Sequence, residues 1–294
     1  MKDFVKKIVE SYPQLKYSLL DAQTFDAEHY GFPEIYYTMM ETDEARVAAF
    51  TDAFQQYDWL KDAVVCEAGV GTLALTQHYL PFVKKAYLIE NNPNVIDFIR
   101  AELKRNNWED KVELMVGDAM KLELPEPVDF IIGELMSIYC ANEYQVQIFR
   151  HLRQYLKPNG KLMPEKILNR IQLGTASFDS QRTHYPLMFT RHLPNLITTQ
   201  EAVNTIDLYQ EDKDQIKVTV KLKALLSGTL NCAYLSSWVQ TAEGVNFTGT
   251  DSLMPPTVIK LAKPVKVKAG EEIALSVSFG YGTNLEEAHF EILA

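Results

Sequence analysis

Two glutamates stand at a spacing that suits the binding of a cationic substrate. Glu134 ends an apolar, strand-like segment, VDFIIGE, and Glu143 follows nine residues later, just before a helix-like run. Two nearby carboxylates raise each other's pKa, so a cation between them relieves their repulsion. We expect the pair to clamp a guanidinium or amine and to draw its positive charge away from the reacting nitrogen. In the alternative interpretation, Glu143 is only a polar residue at the start of the following helix.

A glycine-rich turn in the segment VVCEAGVGTLAL, residues 64–75, has the outline of a nucleotide-cofactor site. Glu67 ends a short buried strand, where a carboxylate can accept hydrogen bonds from ligand hydroxyls or amines. Gly69 and Gly71 let the backbone fold tightly and let a ligand approach the N–H groups of the next turn. Many strand-to-helix turns carry two glycines for geometry alone, so this turn by itself leaves both interpretations open.

Acidic residues end four successive strand-like segments. From residue 63 to about 164 strand-like and helix-like segments alternate, which predicts a parallel sheet with helices on both faces. Ligands of such sheets bind outside the carboxyl ends of the strands. The sequence therefore predicts a functional acidic rim along one edge of the sheet, made of Glu67, Glu90, Asp118 and Glu134.

The segments around this sheet predict the remaining architecture. Residues 1–60 have helical apolar spacing, and residues 61–164 form the predicted Rossmann-like α/β domain. Residues 165–294 alternate apolar with polar residues between Gly and Pro breaks, which predicts an antiparallel β-barrel or sandwich domain. The boundary is predicted at the turn KPNGKLMPEK, and residues 180–200 are predicted to form an excursion from the β-domain.

The composition excludes several classes of function. A formal net charge of −10 argues against general nucleic-acid binding, which needs a basic surface. The three cysteines are scattered, and they and the six histidines show no metal-ligand spacing, so we expect reduced thiols and no metal site. The N-terminus lacks the apolar core of a signal peptide, and no apolar run reaches the length of a membrane span, which favours a cytoplasmic protein.

Three motifs together resemble the class I methyltransferases, which bind S-adenosylmethionine. They are E-x-G-x-G-T from Glu67, an acid 21 residues after the first glycine, and G-D-A at the third strand. A NAD-binding site would instead want a third glycine where Leu73 stands. The resemblance implies that the glycine turn lies beneath the methionine moiety, that Glu90 binds the ribose, and that Asp118 and Ala119 lie near the adenine.

The segment from Glu134 to Glu143 resembles the double-glutamate loop of the protein arginine methyltransferases. The nine-residue separation matches, and Met136, Tyr139 and Cys140 stand where many members carry them. This resemblance covers nearly the whole chain, including the all-β second domain.

The resemblance extends to the N-terminal segment YGFPEIYYTMM and to the arginine that follows it. It implies that Tyr30 lies against the substrate and that Arg46 pairs with the cofactor carboxylate.

The chain departs from that family at its Thr-His-Trp loop. Counting back from VKAGEEI puts the loop near Leu253 and Met254, which supply neither His nor Trp. The segment Ser236-Ser237-Trp238 resembles the loop superficially, but it lies too far upstream and also lacks the His. The family's dimerisation arm, here about 180–200, is short, so a homodimer stays an open alternative.

The first hypothesis is therefore an S-adenosylmethionine-dependent N-methyltransferase. Its acceptor is a guanidino or amino nitrogen of a small molecule, a peptide or a protein arginine. One alternative keeps the fold and methylates oxygen or carbon, with the glutamates acting as a general base. Another is a non-catalytic scaffold that binds the cofactor or a partner.

Overall fold

The computed structural model describes residues 43–178, 183–187, 194–248 and 254–293. Tyr30 and the first 42 residues of the predicted helical segment lie outside this range. The last part of that segment forms helix α1 (Glu44–Gln55), which begins where the Asp43 carboxylate accepts the Arg46 N–H at 3.2 Å. Its apolar face, with Phe50 and Phe54, is buried.

The predicted parallel sheet is confirmed. Neighbouring strands pair in parallel in the order β3-β2-β1-β4-β5. The strands are β1 (Val64–Ala68), β2 (Lys85–Glu90), β3 (Val112–Val116), β4 (Val128–Gly133) and β5 (Leu156–Met163). The helices between them are α2 (Thr76–Tyr79), α3 (Pro93–Arg105) and α4 (Gln145–Leu152).

Two predictions within this region were wrong in their bounds. The helix expected directly after Gly71 starts only at Thr76, because Leu73 adopts a left-handed φ of +67° that interrupts it. The sequence also predicted a turn at KPNGKLMP, but Leu156–Met163 is the edge strand β5. Pro158 is tolerated there because it lies on an edge strand beside a register shift in the β4–β5 pairing.

The predicted antiparallel β-domain is also confirmed. One sheet has the order β7-β13-β11-β6-β8 with β9 and β12 attached, and a second has the order β10-β14-β15. The strands are β6 (Lys166–Thr175), β7 (His184–Pro186), β8 (Asn195–Leu196), β9 (Glu201–Asp207), β10 (Gln215–Lys223), β11 (Gly228–Ala242), β12 (Val245–Thr248), β13 (Thr257–Val267), β14 (Glu272–Gly280) and β15 (His289–Ile292).

The β-domain packs directly against α1 and the parallel sheet. One cluster of buried apolar side chains runs through both. The Phe50 ring lies 6.1 Å from that of Phe247, and the buried Thr241 hydroxyl donates to the Ala49 carbonyl at 2.9 Å. Parts of the 180–200 excursion form β7 and β8, and residues 180–182 and 188–193 lie outside the described residues. No helix in the described part of the chain is long and apolar enough to cross a membrane.

Candidate active site

The carboxyl ends of the parallel strands bring the acidic residues to one edge of the sheet. Glu67 is the second-last residue of β1, and Glu90 is the last residue of β2. Asp118 follows β3 by two residues, and Glu134 directly follows β4. Because these strands are parallel neighbours, the predicted acidic rim exists as a structural feature.

The glycine turn, residues 69–73, depends on a glycine at its first position. Gly69 has φ +71°, and its N–H donates to the Ile89 carbonyl at 2.9 Å. A Cβ at this position would lie 2.4 Å from Cδ2 of Leu135. Glycine at 69 therefore satisfies both the backbone conformation and a close approach to the residue after Glu134.

Glu90 fixes the other side of the glycine turn. Its carboxylate accepts the Gly71 N–H at 2.8 Å and the Asn92 N–H at 2.7 Å, and the residue is buried. Each carboxylate oxygen retains a second lone-pair direction for a ligand hydroxyl. The contact of Glu90 with a ribose stays a prediction.

Glu67 lies beneath the turn and is almost fully buried. One of its oxygens accepts hydrogen bonds from the hydroxyls of Thr76 and Tyr79, each at 2.6 Å. Burial raises the pKa of the Glu67 carboxyl to about 7, although these two hydrogen bonds oppose the shift and the charge of Glu90 adds to it. Glu67 therefore ties β1 to α2.

Asp118 and Ala119 lie after β3, at the side of the rim away from the glutamate pair. The Asp118 carboxylate accepts the Met120 N–H at 2.9 Å and pairs with the Lys121 ammonium at 2.9 Å. Burial raises the Asp118 pKa, but the Lys121 and Met120 hydrogen bonds outweigh it and the net shift is downward. Asp118 is therefore ionised at neutral pH, and Ala119 is buried beside it.

Arg46 contacts the first member of the glutamate pair. Its Nη1 donates to Oε2 of Glu134 at 2.6 Å, and its Nε lies 3.7 Å from Oδ2 of Asp43. The Arg46 side chain is 5% exposed and that of Glu134 is 13% exposed, so water screens this pair weakly. The sequence predicted that Arg46 pairs with a cofactor carboxylate. In the structure its guanidinium already contacts two carboxylates of the chain, those of Glu134 and Asp43.

The charge of Glu134 affects the protonation of Glu143. Burial and the Glu134 charge raise the pKa of Glu143 to about 8, although the Arg46 charge lowers it. Burial also raises the pKa of Glu134, while Arg46 lowers it and Asp43 raises it. The two carboxyls therefore hold a proton at neutral pH, which a bound cation would displace.

The glutamate loop, residues 134–143, has an unusual backbone at its centre. Tyr139 and Cys140 both adopt left-handed conformations, with φ of +60° and +52°. Non-glycine residues pay a conformational cost in this region, so surrounding contacts must hold them. The Tyr139 hydroxyl donates to the Arg170 carbonyl at 2.9 Å, and its ring lies 4.9 Å from that of Phe279.

Gln145 links the two ends of the glutamate loop by hydrogen bonds, and it was not identified from the sequence. Its Oε1 accepts the Leu135 N–H at 2.8 Å, and its Nε2 donates to the Gly133 carbonyl at 3.2 Å. These two residues flank Glu134, while Gln145 itself is two residues after Glu143. A signal existed, because Gln145 occupies the first position of the buried i, i+3, i+4, i+7 face of α4 and is fully buried there.

The region expected to replace the Thr-His-Trp loop is described only in part. Met254 is buried, whereas Leu253 lies outside the described residues. The Ser236-Ser237-Trp238 segment was set aside from its position in the sequence, yet Ser237 contacts the glutamate loop. Its hydroxyl oxygen accepts the Tyr139 N–H at 3.2 Å.

The charged and polar groups at this edge of the sheet fit S-adenosylmethionine. Its sulfonium and ammonium groups are cations, which an acidic rim favours, and its ribose hydroxyls can donate to carboxylates such as Glu90. Arg46 supplies a buried cation suited to the cofactor carboxylate. The tight turn at Gly69 brings the backbone of residues 69–71 to the same edge.

Comparisons with known proteins agree with this site. A family described as "Methyltransferase domain" matches residues 65–160. The uncharacterized protein MJ1452 of Methanocaldococcus jannaschii is 26% identical, over 86% of this chain and 95% of that protein. The histone-arginine methyltransferase CARMER of Drosophila persimilis is 29% identical over 54% of this chain, which spans only 31% of that relative's length.

Two solved structures share the fold at low sequence identity. The Trypanosoma brucei PRMT1 enzyme-prozyme complex with AdoHcy has a TM-score of 0.74 and 18% identity, covering 91% of this chain and 98% of that one. Arabidopsis thaliana protein arginine methyltransferase 10 has a TM-score of 0.66 and 17% identity, covering 82% and 87%. The chain therefore contains a class I, S-adenosylmethionine-dependent methyltransferase domain and resembles the protein arginine methyltransferases in fold.

Proposed function

We propose that this protein transfers a methyl group from S-adenosylmethionine to a guanidino or amino nitrogen held by Glu134 and Glu143. The observation that carries the proposal is the glutamate pair. Glu134 already binds a guanidinium within the chain, that of Arg46, at 2.6 Å. Glu143 lies close enough for the charge of Glu134 to raise its pKa.

The chemistry follows from what a guanidinium requires. Its pKa is above about 12 and its nitrogen lone pairs are delocalised, so it attacks an electrophile poorly. S-adenosylmethionine supplies an electrophilic methyl group when bound. Two carboxylates that accept N–H bonds from the acceptor concentrate its positive charge near themselves and leave the remaining nitrogen more nucleophilic. They also orient that nitrogen toward the methyl group, and such orientation can account for a large part of the lowering of the activation barrier in transfer reactions.

The cofactor-side residues would divide the ligand between them. We assign Arg46 to its carboxylate and Glu90 to its ribose, with Asp118 and Ala119 beside the adenine. Gly69 and Gly71 would let the methionine moiety approach the backbone, and Glu67 would support the turn from below. Tyr30, assigned to the acceptor, lies outside the described residues.

The acceptor class extends over small molecules, peptides and protein arginines. CARMER, as a histone-arginine methyltransferase, acts on histone arginine, and this chain spans about a third of that protein. A cytoplasmic location and a homodimer stay predictions; the three buried free cysteines suit a reducing compartment.

A screen of acceptors tests the proposal. The protein is incubated with S-adenosylmethionine and, in turn, free arginine, agmatine, simple amines and an arginine-rich peptide, and products are detected by mass shift. We expect a methylated guanidine or amine whose formation is lost in Glu134→Gln. Glu109→Gln is the matched control, because Glu109 is exposed at the opposite end of β3. Wild-type turnover that survives Glu134→Gln would overturn the proposal.

One observation favours a second candidate, methylation of an oxygen or carbon acid. A carboxyl whose pKa is raised to about 8, as at Glu143, is a competent general base near neutral pH. The two candidates differ in acceptor charge, so adding phenols and carbon acids to the same screen separates them. Product from a neutral acceptor alone would favour the second candidate.

A further inference from the structure

We infer that Ser237 of the β-domain is a positioning residue for the glutamate pair. This role rests on the proposed function and identifies which part of the chain fixes the positions of the two acceptor-binding glutamates. Ser237 belongs to a buried chain of hydrogen bonds that reaches the glutamate loop from β11, 98 residues away in sequence.

The first link is at the centre of the glutamate loop. The Tyr139 N–H donates to the Ser237 hydroxyl oxygen at 3.2 Å, and both residues are buried. Tyr139 has φ +60°, a conformation that a non-glycine residue keeps only when its surroundings impose it. A buried N–H without a partner would carry a further cost, so Ser237 stabilises this backbone in two ways.

The next links run through the β-domain. The Ser237 hydroxyl donates to Oδ1 of Asn169 at 2.8 Å, and the amide of Asn169 donates to Oδ1 of Asn204 at 3.0 Å. The amide of Asn204 donates to the Tyr281 hydroxyl at 2.7 Å. Asn169 is fully buried, so its carboxamide depends on these neighbours rather than on water.

The chain returns to the glutamate loop at its far end. The backbone carbonyl of Tyr281 accepts the Gln147 side-chain amide at 2.8 Å, and Gln147 lies on α4, four residues after Glu143. The Gly282 N–H donates to the Cys140 carbonyl at 2.9 Å. Strands β6, β9 and β11 and the two residues that follow β14 thus hold both sides of the segment that separates the two glutamates.

This arrangement explains how a loop with two strained residues keeps two repelling carboxylates together. Removing the Ser237 hydroxyl leaves the Tyr139 N–H and the Oδ1 of Asn169 without these partners, and the loop relaxes so that the carboxylates separate and hydrate. The neighbouring Ser236 offers a matched control. Its hydroxyl is also buried, yet it has no hydrogen-bond partner among the described residues.

The test compares Ser237→Ala, Ser236→Ala and Ser237→Thr, which restores a hydroxyl. Calorimetry measures binding of S-adenosylhomocysteine and of agmatine, and kinetics with any acceptor from the screen separate kcat from KM. We expect Ser237→Ala to weaken agmatine binding about three- to tenfold, with S-adenosylhomocysteine affinity within about twofold of wild type. Ser236→Ala should match wild type in both, and Ser237→Thr should recover agmatine binding.

A second readout does not need an acceptor. Titration of ¹³C-labelled glutamate carboxyls, with Glu143 assigned by its loss in Glu143→Gln, reports how deeply Glu143 is buried and how close it lies to the Glu134 charge. We expect the Glu143 pKa to fall in Ser237→Ala and to stay unchanged in Ser236→Ala. Asn204→Ala, one link further away and only partly buried, should give a smaller fall, and it serves if a Ser237 variant does not fold.

The outcomes distinguish the two proposals. If wild type binds no guanidine, the proposed function fails, and the carboxyl titration still decides the positioning role. If Ser237→Ala and Ser236→Ala give equal Glu143 pKa values and equal agmatine affinities, the positioning role is overturned.

Discussion

The glycine turn and the glutamate loop are both strand-to-helix connections at the same edge of one sheet, but they are held in different ways. The turn is fixed by neighbours from its own domain, since Glu90 accepts the Gly71 N–H and Glu67 binds Thr76 and Tyr79. These pairs are at most 19 residues apart. The loop is fixed largely from the β-domain, through contacts such as the one between Tyr139 and Ser237.

This difference separates the two halves of the proposed reaction. The cofactor half needs only the parallel sheet and its helices, whereas the acceptor half needs the β-domain to hold its backbone. Changes in the β-domain are therefore expected to alter acceptor use while cofactor binding stays intact. The two halves meet where Gly69 lies against Leu135 and where Arg46 pairs with Glu134.

The largest expected effect comes from neutralising the second glutamate. Glu143→Gln keeps the shape of the side chain but removes one of the two charges that polarise the acceptor. We expect kcat to fall about 100- to 1,000-fold, the loss typical when one electrostatic contact to a transition state is removed. Affinity for S-adenosylhomocysteine, measured by calorimetry, should stay within about twofold. An equal loss in cofactor affinity would contradict the division of roles.

A smaller but broader effect is expected at the contact between the two halves. In Gly69→Ala the new methyl group meets Cδ2 of Leu135 at 2.4 Å and the residue must keep φ +71°. We expect S-adenosylhomocysteine affinity to fall by tenfold or more, together with acceptor turnover, because both sides of the contact shift.

Gly270→Ala is the control for backbone strain alone. Gly270 has φ +87°, but nothing lies within 4 Å of a Cβ built there. Its cost should be about 1 kcal/mol of stability, read from denaturant unfolding, with no change in ligand affinity. Equal effects of the two substitutions on affinity would show that the Leu135 contact is unimportant.

The next effect is a pH dependence confined to the acceptor half. The Glu143 pKa of about 8 means that a cationic acceptor must displace a proton at neutral pH. Agmatine affinity should therefore rise with pH up to about 8, by at most about tenfold per unit, and then level off. Calorimetry in buffers of different ionisation enthalpy should detect the released proton. Glu143→Gln should remove both the slope and the proton release, and a slope that persists in this variant would refute the assignment.

Much of this molecule is predictable from its sequence because its signals are local. The alternation of strands and helices, the acidic strand ends and the glycine turn each occupy a few consecutive residues, and the structure has them in one edge of one sheet. The strand β5 was missed because Pro158 and Gly160 are typical of turns, and only pairing with β4 on the sheet edge makes them a strand. The segment Ser236-Ser237-Trp238 was set aside because it lies too far upstream and lacks the His of the Thr-His-Trp loop. The contact of Ser237 with Tyr139, 98 residues away, is one that no local pattern encodes.

The smallest expected effect compares the stability of the two halves as a function of pH. The folded protein raises the pKa of Glu143 from 4.5 to about 8 and that of Glu67 from 4.5 to about 7. Between those limits the folded state holds protons that the unfolded state has lost, so each group lowers the free energy of unfolding as pH rises. Glu143→Gln removes this penalty and should gain stability relative to wild type from about pH 4.5 up to about pH 8, where the gain levels off.

For Glu67→Gln the stability gain should follow the same course but level off about one pH unit lower. This variant should also be less stable than Glu143→Gln at every pH, because the amide accepts the Thr76 and Tyr79 hydrogen bonds less strongly than the carboxylate does. Chemical denaturation of the three proteins at several pH values measures these differences directly. Parallel curves for wild type and Glu143→Gln would mean that the two loop carboxylates do not share a proton in the folded protein. The glutamate loop would then lack the stored repulsion that makes a guanidinium its natural ligand, even if the glycine turn binds the cofactor as proposed.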